Sequence, residues 1–452
     1  MTRKILATLL LCLATFPLPT VGATDLPQYV RAGLFYDDSQ LVSANLENLD
    51  NFGAGYQFGY FDQKTNFVYL GETTHTQITM VRGGTVYRTG KDFSTSSGDQ
   101  AMGGYHVIHS SPYNSYQEAL TVAETLSGGF VAWINGEFQV RMGTFTSEAN
   151  AKAVGSNVAQ ASATLINMVK SGTTELIFQF DGGSSYPFGV SPDVTGHSDP
   201  ITWFKNIKYR GAFQYQRVSG GSLTVSNVVA LDSYLKGVVP FEMSPSWPIE
   251  ALKTQAVSAR TYVTKQILSS THGSSNFDVC NTAHCQVYYG TGGPSTSSPS
   301  VNSDSAVDQT SGMYLWYQDT LAGTYYSSSF GGGSESVYNV WRSSSVDAYP
   351  YLCGVVDPYE QLANSINYYS SWNLTFTTSE LTTLLNGKGL GVGSSVSSLE
   401  AVYSDTGNVI ELIIHWSSGR TNTLYPTEMR YSSWLALPSI HFTINQDLPS
   451  VS

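Results

Sequence analysis

Apolar residues after Ser246 recur every three or four positions, a spacing that predicts an amphipathic helix. The apolar series consists of Ile249, Leu252, Ala256, Ala259 and Val263. Ser246 is the expected N-cap, and Pro248 suits the first turn because its missing N–H would have no partner there anyway. Lys253 and Arg260 lie seven residues apart on this helix, so both should follow the border of the apolar stripe.

Elsewhere the patterns are shorter. Residues 26–88 alternate apolar and polar positions, as in VRAGLFY and QITMVRGGTVYR, which predicts short strands. Residues 105–158 read twice as strand, turn and amphipathic helix, an internal β and α repeat. We therefore predict an α+β fold: a β-rich C-terminal region with a key helix after the VVPFEM segment, and a small ferredoxin-like βαββαβ domain.

One carboxylate, Glu242, stands among apolar neighbours just before the predicted helix. Phe241, Met243 and Trp247 are expected to desolvate it, which would raise its pKa towards the range useful for proton transfer near neutral pH. Glu242 is therefore a candidate general acid and base. The alternative is a structural ion pair between Glu242 and Lys253 or Arg260.

Four consecutive segments carry the motifs of a known family. They read LDSYLKGVVPFEM, SWPIEALKTQAVSARTY, DVCNTAHCQVYYG and AGTYYSSSFGGGSES with a following tryptophan. In this order they resemble the stage II sporulation protein D family, whose members are also described as amidase enhancers. The resemblance continues through YRG, SVDAYPYLCGVVDP, Trp372 and LPSIHFTI, and covers about residues 201–446.

The resemblance implies a lytic transglycosylase that cleaves peptidoglycan glycan strands already stripped of their stem peptides. Glu242 matches the family's catalytic glutamate, and Arg260 matches the arginine of the AQAVxARTY motif. One carboxylate suffices because the C6 hydroxyl of the sugar replaces water and leaves a 1,6-anhydro end, whereas an ordinary glycosidase needs two. Asp232 departs from the glutamate of many relatives, and we expect little consequence.

Further residues in the matched motifs are expected to bind substrate. They are Lys253, Gln286, Tyr326, Ser327, Ser328 and Ser329. The serines precede Gly331 to Gly333, and glycine permits a close backbone approach to a ligand. A Ser/Gly run is also typical of a solvated loop, and this alternative stays open.

The chain has four cysteines, of which Cys12 lies in the leader. The pair Cys280 and Cys285 flanks His284 in CNTAHC, and relatives with this motif bind zinc there. A structural zinc site wants four ligands, and His272 is the candidate for the fourth, with an exposed loop histidine as the alternative. A short-range disulfide between the two cysteines is the rival in an oxidising compartment. Cys353 is expected to be a buried small hydrophobe.

The first 23 residues have the form of a secretory signal peptide. Two basic residues precede an apolar run, and VGA offers a cleavage site of small residues. No other segment approaches the roughly twenty apolar residues of a membrane span. The mature protein is expected to be exported and either associated with the cell wall or secreted. A net charge of −12 disfavours nucleic acid as a partner.

The patterns together with the resemblance imply four segments: 1–23 signal peptide, 24–100 a β-rich segment packing with the catalytic region, 101–180 a SPOR-like glycan-binding domain and 200–446 the catalytic domain. Residues 104–180, with FQVRMGTFTSEANAKAV, resemble the sporulation-related repeat (SPOR) domain, which binds peptide-free glycan through its sheet. A generic packing domain is the alternative. For the whole chain the alternative function is a non-catalytic, glycan-binding enhancer of a cell-wall amidase, which would not require the Glu242 carboxylate.

Overall fold

The computed structural model describes residues 26–49, 53–62, 66–196, 199–292, 300–342, 349–363, 367–430 and 434–445. The predicted signal peptide, including Cys12, lies outside these residues. The chain divides into two compact units, Met1–Thr324 and Tyr325–Ser452. This division differs from the four predicted segments, whose boundaries stay predictions.

Strands dominate the first unit. In chain order they are β1 Tyr29–Phe35, β2 Ser43–Asn48, β3 Tyr56–Phe61, β4 Phe67–Thr73, β5 Gln77–Arg82, β6 Val86–Thr89, β7 Asp92–Ser94, β8 Gln100–Met102, β9 Tyr105–Tyr113, β10 Gly129–Ile134, β11 Glu137–Phe145, β12 Val158–Gln160, β13 Ile166–Lys170, β14 Leu176–Asp181, β15 Phe188–Pro192, β16 Thr202–Phe204, β17 Ile207–Tyr209, β18 Ala212–Gln216, β19 Thr224–Ala230, β20 Val279–Cys280, β21 Trp316–Tyr317 and β22 Thr320–Leu321. The α-helices of this unit are α1 Tyr116–Ala123, α2 Glu148–Lys152, α3 Leu231–Lys236, α4 Val239–Glu242, α5 Ile249–Ser269 and α6 Val301–Gln309.

Two large sheets share one hydrophobic core in this unit. The first has the order β20-β1-β19-β18-β15-β3-β4, and the second β12-β9-β11-β10-β14-β13-β5-β2-β16-β17. Phe58 of the first sheet and Phe178 of the second meet with ring centroids 4.5 Å apart, so apolar faces of both sheets join. The described parts of residues 26–88 contain β1 to β5 and the start of β6, in line with the predicted short strands. Strand β1 lies between β19 and β20 in the first sheet.

Helix α5 is present after the VVPFEM segment, with Leu252, Ala256, Ala259 and Val263 buried as its apolar spacing predicts. Its start corrects one expectation. The helix begins at Ile249 with Pro248 in the N-cap position and no side-chain cap, so Ser246 is not the N-cap. Pro248 serves there because a proline has no N–H to leave unpaired.

The repeat at 105–160 folds as β9-α1-β10-β11-α2-β12. These strands run in the order β12-β9-β11-β10, with each neighbouring pair antiparallel. Strand β10 also pairs in parallel with β14, so the four strands form one end of the ten-stranded sheet. They therefore share that sheet with strands on both sides of the repeat in sequence, and the assignment of a separate ferredoxin-like domain stays a prediction.

The second unit is built around a three-stranded antiparallel sheet. Its elements are α7 Val337–Trp341, α8 Thr378–Asn386, β23 Val396–Tyr403, β24 Val409–Trp416, β25 Thr421–Leu424 and α9 Pro426–Arg430. Its own apolar core includes Leu385 of α8 with Ile414 and Trp416 of β24. Within the described parts of the chain, no helix combines the length and apolar character needed to cross a bilayer.

Candidate active site and metal-ligand cluster

Glu242 ends the short helix α4. Val239, at the start of this helix, is completely buried, and the Glu242 backbone N–H donates to the Val238 carbonyl over 3.1 Å. The backbone is therefore fixed by packing while the Glu242 side chain is only half-buried. A carboxylate on a firmly held backbone with access to solvent can meet an external ligand.

The Glu242 carboxylate has a backbone partner rather than a cation. The Val287 N–H donates to its Oε1 over 3.2 Å. Among the described residues no cation lies within ion-pair distance of Glu242: Lys253 Nζ is 2.8 Å from Glu250 Oε1, and Arg260 pairs with Asp232. The alternative of a structural ion pair at Glu242 is therefore wrong in this structure.

The apolar surroundings of Glu242 are more open than the sequence suggests. Phe241 packs edge to face on Tyr289, with ring centroids 5.1 Å apart, and Met243 is half-buried. Trp247 is 42% exposed. The ring expected to desolvate Glu242 thus faces water over much of its surface, and the site is a half-open one.

Arg260 lies in the interior, fully buried. Its Nη2 is 2.9 Å from Asp232 Oδ1 and donates to the Val307 carbonyl over 3.2 Å, and its Nη1 donates to Thr310 Oγ1 over 3.4 Å. The guanidinium therefore ties α5 to α3 and α6, because these three partners lie on or next to those helices. In this geometry the Arg260 guanidinium contacts other groups of the protein. A catalytic role for Arg260 stays a prediction from the resemblance.

Gln286 is also buried, at 1% exposure, although the sequence predicts that it binds substrate. Its Nε2 donates to the Ala259 carbonyl over 3.3 Å, and its Oε1 accepts from the Tyr234 hydroxyl over 3.3 Å. Lys253, a second expected substrate ligand, pairs with Glu250 on the helix surface. The structure thus brings Gln286 near Glu242 through the backbone of Val287, with the Gln286 side chain turned inward.

Four metal-ligating side chains converge around the CNTAHC loop. They are His272, Cys280, His284 and Cys285, whose ligand atoms all lie within 4.8 Å of one another. His272 Nε2 is 3.2 Å from Cys285 Sγ, and His284 Nδ1 is 3.5 Å from both sulfurs. Zinc bonds of about 2.0–2.3 Å at tetrahedral angles place nitrogen and sulfur ligands about 3.5 Å apart. The donor set and its spacing therefore fit a tetrahedral zinc ion.

The two sulfurs are free thiols in the structure, and no disulfide joins Cys280 to Cys285. Their mutual hydrogen bond, with further contacts from Thr282 and His284, lowers the pKa of the Cys280 thiol. A thiolate is the form that binds a metal. Cys353 is an exposed thiol, so the expectation of a buried small hydrophobe is wrong. It lies in an irregular segment of the second unit.

The predicted glycan loop belongs to the second unit. Tyr326 is half-buried, Ser327 and Ser328 are exposed, and Ser327 Oγ donates to the Ser329 carbonyl over 3.3 Å. The Ser329 hydroxyl donates to the Glu360 carboxylate, which also accepts from the backbone N–H groups of Phe330 and Gly332. The loop is thus shaped around an internal carboxylate, and the role of its serines as substrate ligands stays a prediction.

Comparison with known proteins identifies the region that carries Glu242 and the metal ligands. Residues 219–317 match the SpoIID family, described as stage II sporulation protein. An uncharacterized protein of Brachyspira hyodysenteriae is 39% identical over 149 residues, 33% of this chain and 38% of that protein. The amidase enhancer of Bacillus subtilis is 39% identical over 150 residues, 33% of this chain and 18% of that protein.

Residues 219–317 therefore resemble the SpoIID family, and this region is also similar to the amidase enhancer of Bacillus subtilis. The matched regions cover well under two thirds of both relatives.

The sequence did not predict the roles of two groups in this region. Val287 contributes a backbone N–H, which any residue except proline could supply, so no side-chain pattern indicates it. Asp232 was noted only as a departure from relatives, yet it is the ion-pair partner of buried Arg260. A buried arginine needs an anion, and the sequence offered several candidates without distances to choose among them.

Proposed function

We propose that this protein is a lytic transglycosylase that cleaves peptide-free peptidoglycan glycan strands to 1,6-anhydro products. Glu242 donates a proton to the glycosidic oxygen as the bond to the anomeric carbon breaks. It then removes the proton from the C6 hydroxyl of the same sugar as that oxygen bonds to the anomeric carbon. The proton lent in the first step returns in the second, and no water is consumed.

The arrangement of Glu242 is the observation that carries this proposal. Its carboxylate is half-exposed at the end of α4, its Oε1 accepts one backbone N–H, and its Oε2 has no hydrogen-bond partner among the described residues. A paired cation would favour the charged carboxylate over the protonated form that must donate the proton, and among the described residues no cation pairs with it. Oε2 is thus available to a substrate oxygen.

The direct test uses purified protein and glycan strands freed of peptides by an amidase. Mass spectrometry of the products should show fragments ending in 1,6-anhydro-muramic acid, each 18 mass units lighter than the corresponding hydrolysis product because no water is added. Strands with intact stem peptides serve as the matched control and should stay uncut. Products that end in reducing sugars would show that the protein is a hydrolase. Absence of products would show that the protein lacks this activity.

We propose that zinc at His272, Cys280, His284 and Cys285 stabilises the fold. A bound zinc ion would link His272 to the CNTAHC loop and so restrain both segments. The proton chemistry is assigned to Glu242, and these ligands are all protein groups, which is typical of a structural rather than a catalytic zinc site. A count of free thiols under denaturing conditions tests the disulfide alternative.

Glycan binding by residues 101–180 is a further part of the proposal, supported by the strand order of the repeat. One observation restricts it. Val107, Val140 and Phe178 face the core with α1, so alternation turns His106, Arg141 and Gln179 to the opposite face, and these are also buried. At these three positions the sheet face is therefore not open to a ligand. Hydrogen exchange on full-length Glu242→Gln protein, with and without peptide-free glycan, would locate the surface that becomes protected.

The second candidate function is non-catalytic enhancement of a cell-wall amidase, which the name of the Bacillus subtilis relative favours. This function needs glycan binding and an amidase partner but not the Glu242 carboxylate. An amidase assay with wild-type and Glu242→Gln protein separates the two: equal stimulation by both, without anhydro products, would establish the enhancer. Both functions place the protein outside the cytoplasm, and we propose export accordingly.

A further inference from the structure

We infer that Gln286 is a positioning residue, which fixes the Val287 N–H against the Glu242 carboxylate. The inference rests on the proposed function, since it assigns a purpose to Gln286 only if Glu242 transfers protons. It replaces the sequence-based expectation that the Gln286 side chain meets the glycan.

Successive side chains of residues 286–289 alternate between the protein interior and the surface near Glu242. Gln286 and Tyr288 are each 1% exposed, while Val287 is half-buried and Tyr289 is 37% exposed. The two outward residues are those that contact α4: Val287 donates to Glu242, and Tyr289 packs on Phe241. The inward residues therefore hold the segment, and the outward residues shape the surroundings of the carboxylate.

The inward anchors come from separate elements. Gln286 joins Tyr234 of α3 to Ala259 of α5, and the Tyr288 hydroxyl donates to Asn227 Oδ1 of β19 over 2.6 Å. Because both ends of the Gln286 amide are engaged, its backbone has little freedom to rotate. The next residue in the chain is Val287, so its N–H direction is set by these contacts.

The metal-ligand cluster directly precedes this segment in the chain. Cys285 directly precedes Gln286, and the Cys285 N–H donates to the Thr282 carbonyl over 3.0 Å within the CNTAHC turn. Loosening Gln286 would therefore leave the turn in place but release the Val287 N–H. The effect of Gln286 on catalysis should be separable from metal content.

The test compares Gln286→Met with wild type on peptide-free glycan, measuring kcat, KM, melting temperature and bound zinc. Methionine has the length of glutamine and removes both amide hydrogen bonds. We expect kcat to fall about 10- to 100-fold, since misplacing a catalytic group by about 1 Å has effects of this size. KM should stay within about twofold because Gln286 does not touch substrate, and zinc content should match wild type.

Thr79→Val is the matched control, because Thr79 is a buried polar residue of the ten-stranded sheet whose hydroxyl donates to Asn45. It should lower the melting temperature and leave kcat unchanged. Tyr234→Phe, which removes one oxygen, covers the case in which Gln286→Met fails to fold. Tyr234→Phe should lower kcat less than Gln286→Met does. The double variant should have the same kcat as Gln286→Met alone.

An active wild type with unchanged kcat in folded Gln286→Met or Tyr234→Phe would overturn the inference. The inference would also be overturned if Thr79→Val lowered kcat as much as Gln286→Met does. A general loss of stability would then be enough to explain the fall in kcat. An inactive wild type would instead remove the proposed function, so the two failures are distinguishable.

Discussion

Arg260 Nη2 and Asp232 Oδ1 lie 2.9 Å apart, with the arginine completely buried and the aspartate one-third exposed. The Asp232 carboxylate also accepts a short hydrogen bond from the Ser311 hydroxyl. This ion pair joins helices α5 and α3. It gives the AQAVxARTY arginine a structural task that the resemblance did not include.

Arg260→Ala should lower the free energy of unfolding by roughly 3 kcal/mol, because removing one partner of a buried pair leaves the other uncompensated. The partial exposure of Asp232 keeps the effect at the lower end of the range for such pairs. Lys253→Ala, which breaks a surface pair on the same helix, is the control and should cost less than about 1 kcal/mol. Urea unfolding measures both. Unchanged stability with a sharp loss of turnover would instead assign Arg260 to catalysis.

Glu242→Gln should abolish cleavage and leave glycan binding and melting temperature close to wild type. The amide keeps the shape of the carboxylate and can still accept the Val287 N–H, but it cannot transfer a proton. Glu250→Gln changes an exposed carboxylate at the start of α5 and should retain activity. Measurable anhydro product from the Glu242 variant would contradict the mechanism.

His106 should make the protein less stable in acid. Burial, aided by the charge of Arg141 and partly opposed by the hydrogen bond to the Gly143 carbonyl, lowers the pKa of His106 from 6.5 to about 4. The folded state thus favours the neutral ring, whose Nε2 accepts from Gln179. This contribution is fully present above pH 6.5 and is lost as the pH falls towards 4, by roughly 3 kcal/mol in all.

Unfolding experiments from pH 7 to 4 would check this slope. His106→Gln removes the titrating ring and should flatten the profile, whatever its stability at pH 7. His109→Gln, at an exposed position of the same strand, should leave the profile unchanged. Equal slopes for wild type and His106→Gln would show that other groups cause the acid sensitivity.

Protein purified without chelator should contain about one zinc ion per chain, and chelation should lower its melting temperature. His272→Ala should weaken zinc binding, since the structure places this side chain with the three other candidate ligands. Cys353→Ser changes the exposed thiol and should retain the metal. Absence of zinc with one free thiol among Cys280, Cys285 and Cys353 under denaturing conditions would establish the disulfide.

The sequence alone located what depends on local pattern. The spacing of Leu252, Ala256 and Ala259 determined helix α5 and its buried face, because a 3.6-residue period places such residues on one side. Alternation determined the strands before residue 88. The motif around Glu242 and the resemblance to the SpoIID family could also be recognised from the sequence, since both depend on residues in short, contiguous runs.

Tertiary structure decided which partner each side chain meets. Arg260 and Gln286 stand in motifs that suggest substrate contact, yet Asp232, Tyr234 and Ala259 enclose them. Such partners lie tens of residues away, and burial of a polar group depends on whether they arrive. Tertiary structure also places His272 beside the cysteines. Its ring reaches Cys285 across a turn, and the spacing of residues in the sequence does not specify the path of that turn. Local periodicity fixes which face of an element is apolar, whereas long-range packing fixes the distances on which the proposed proton transfer and metal binding depend.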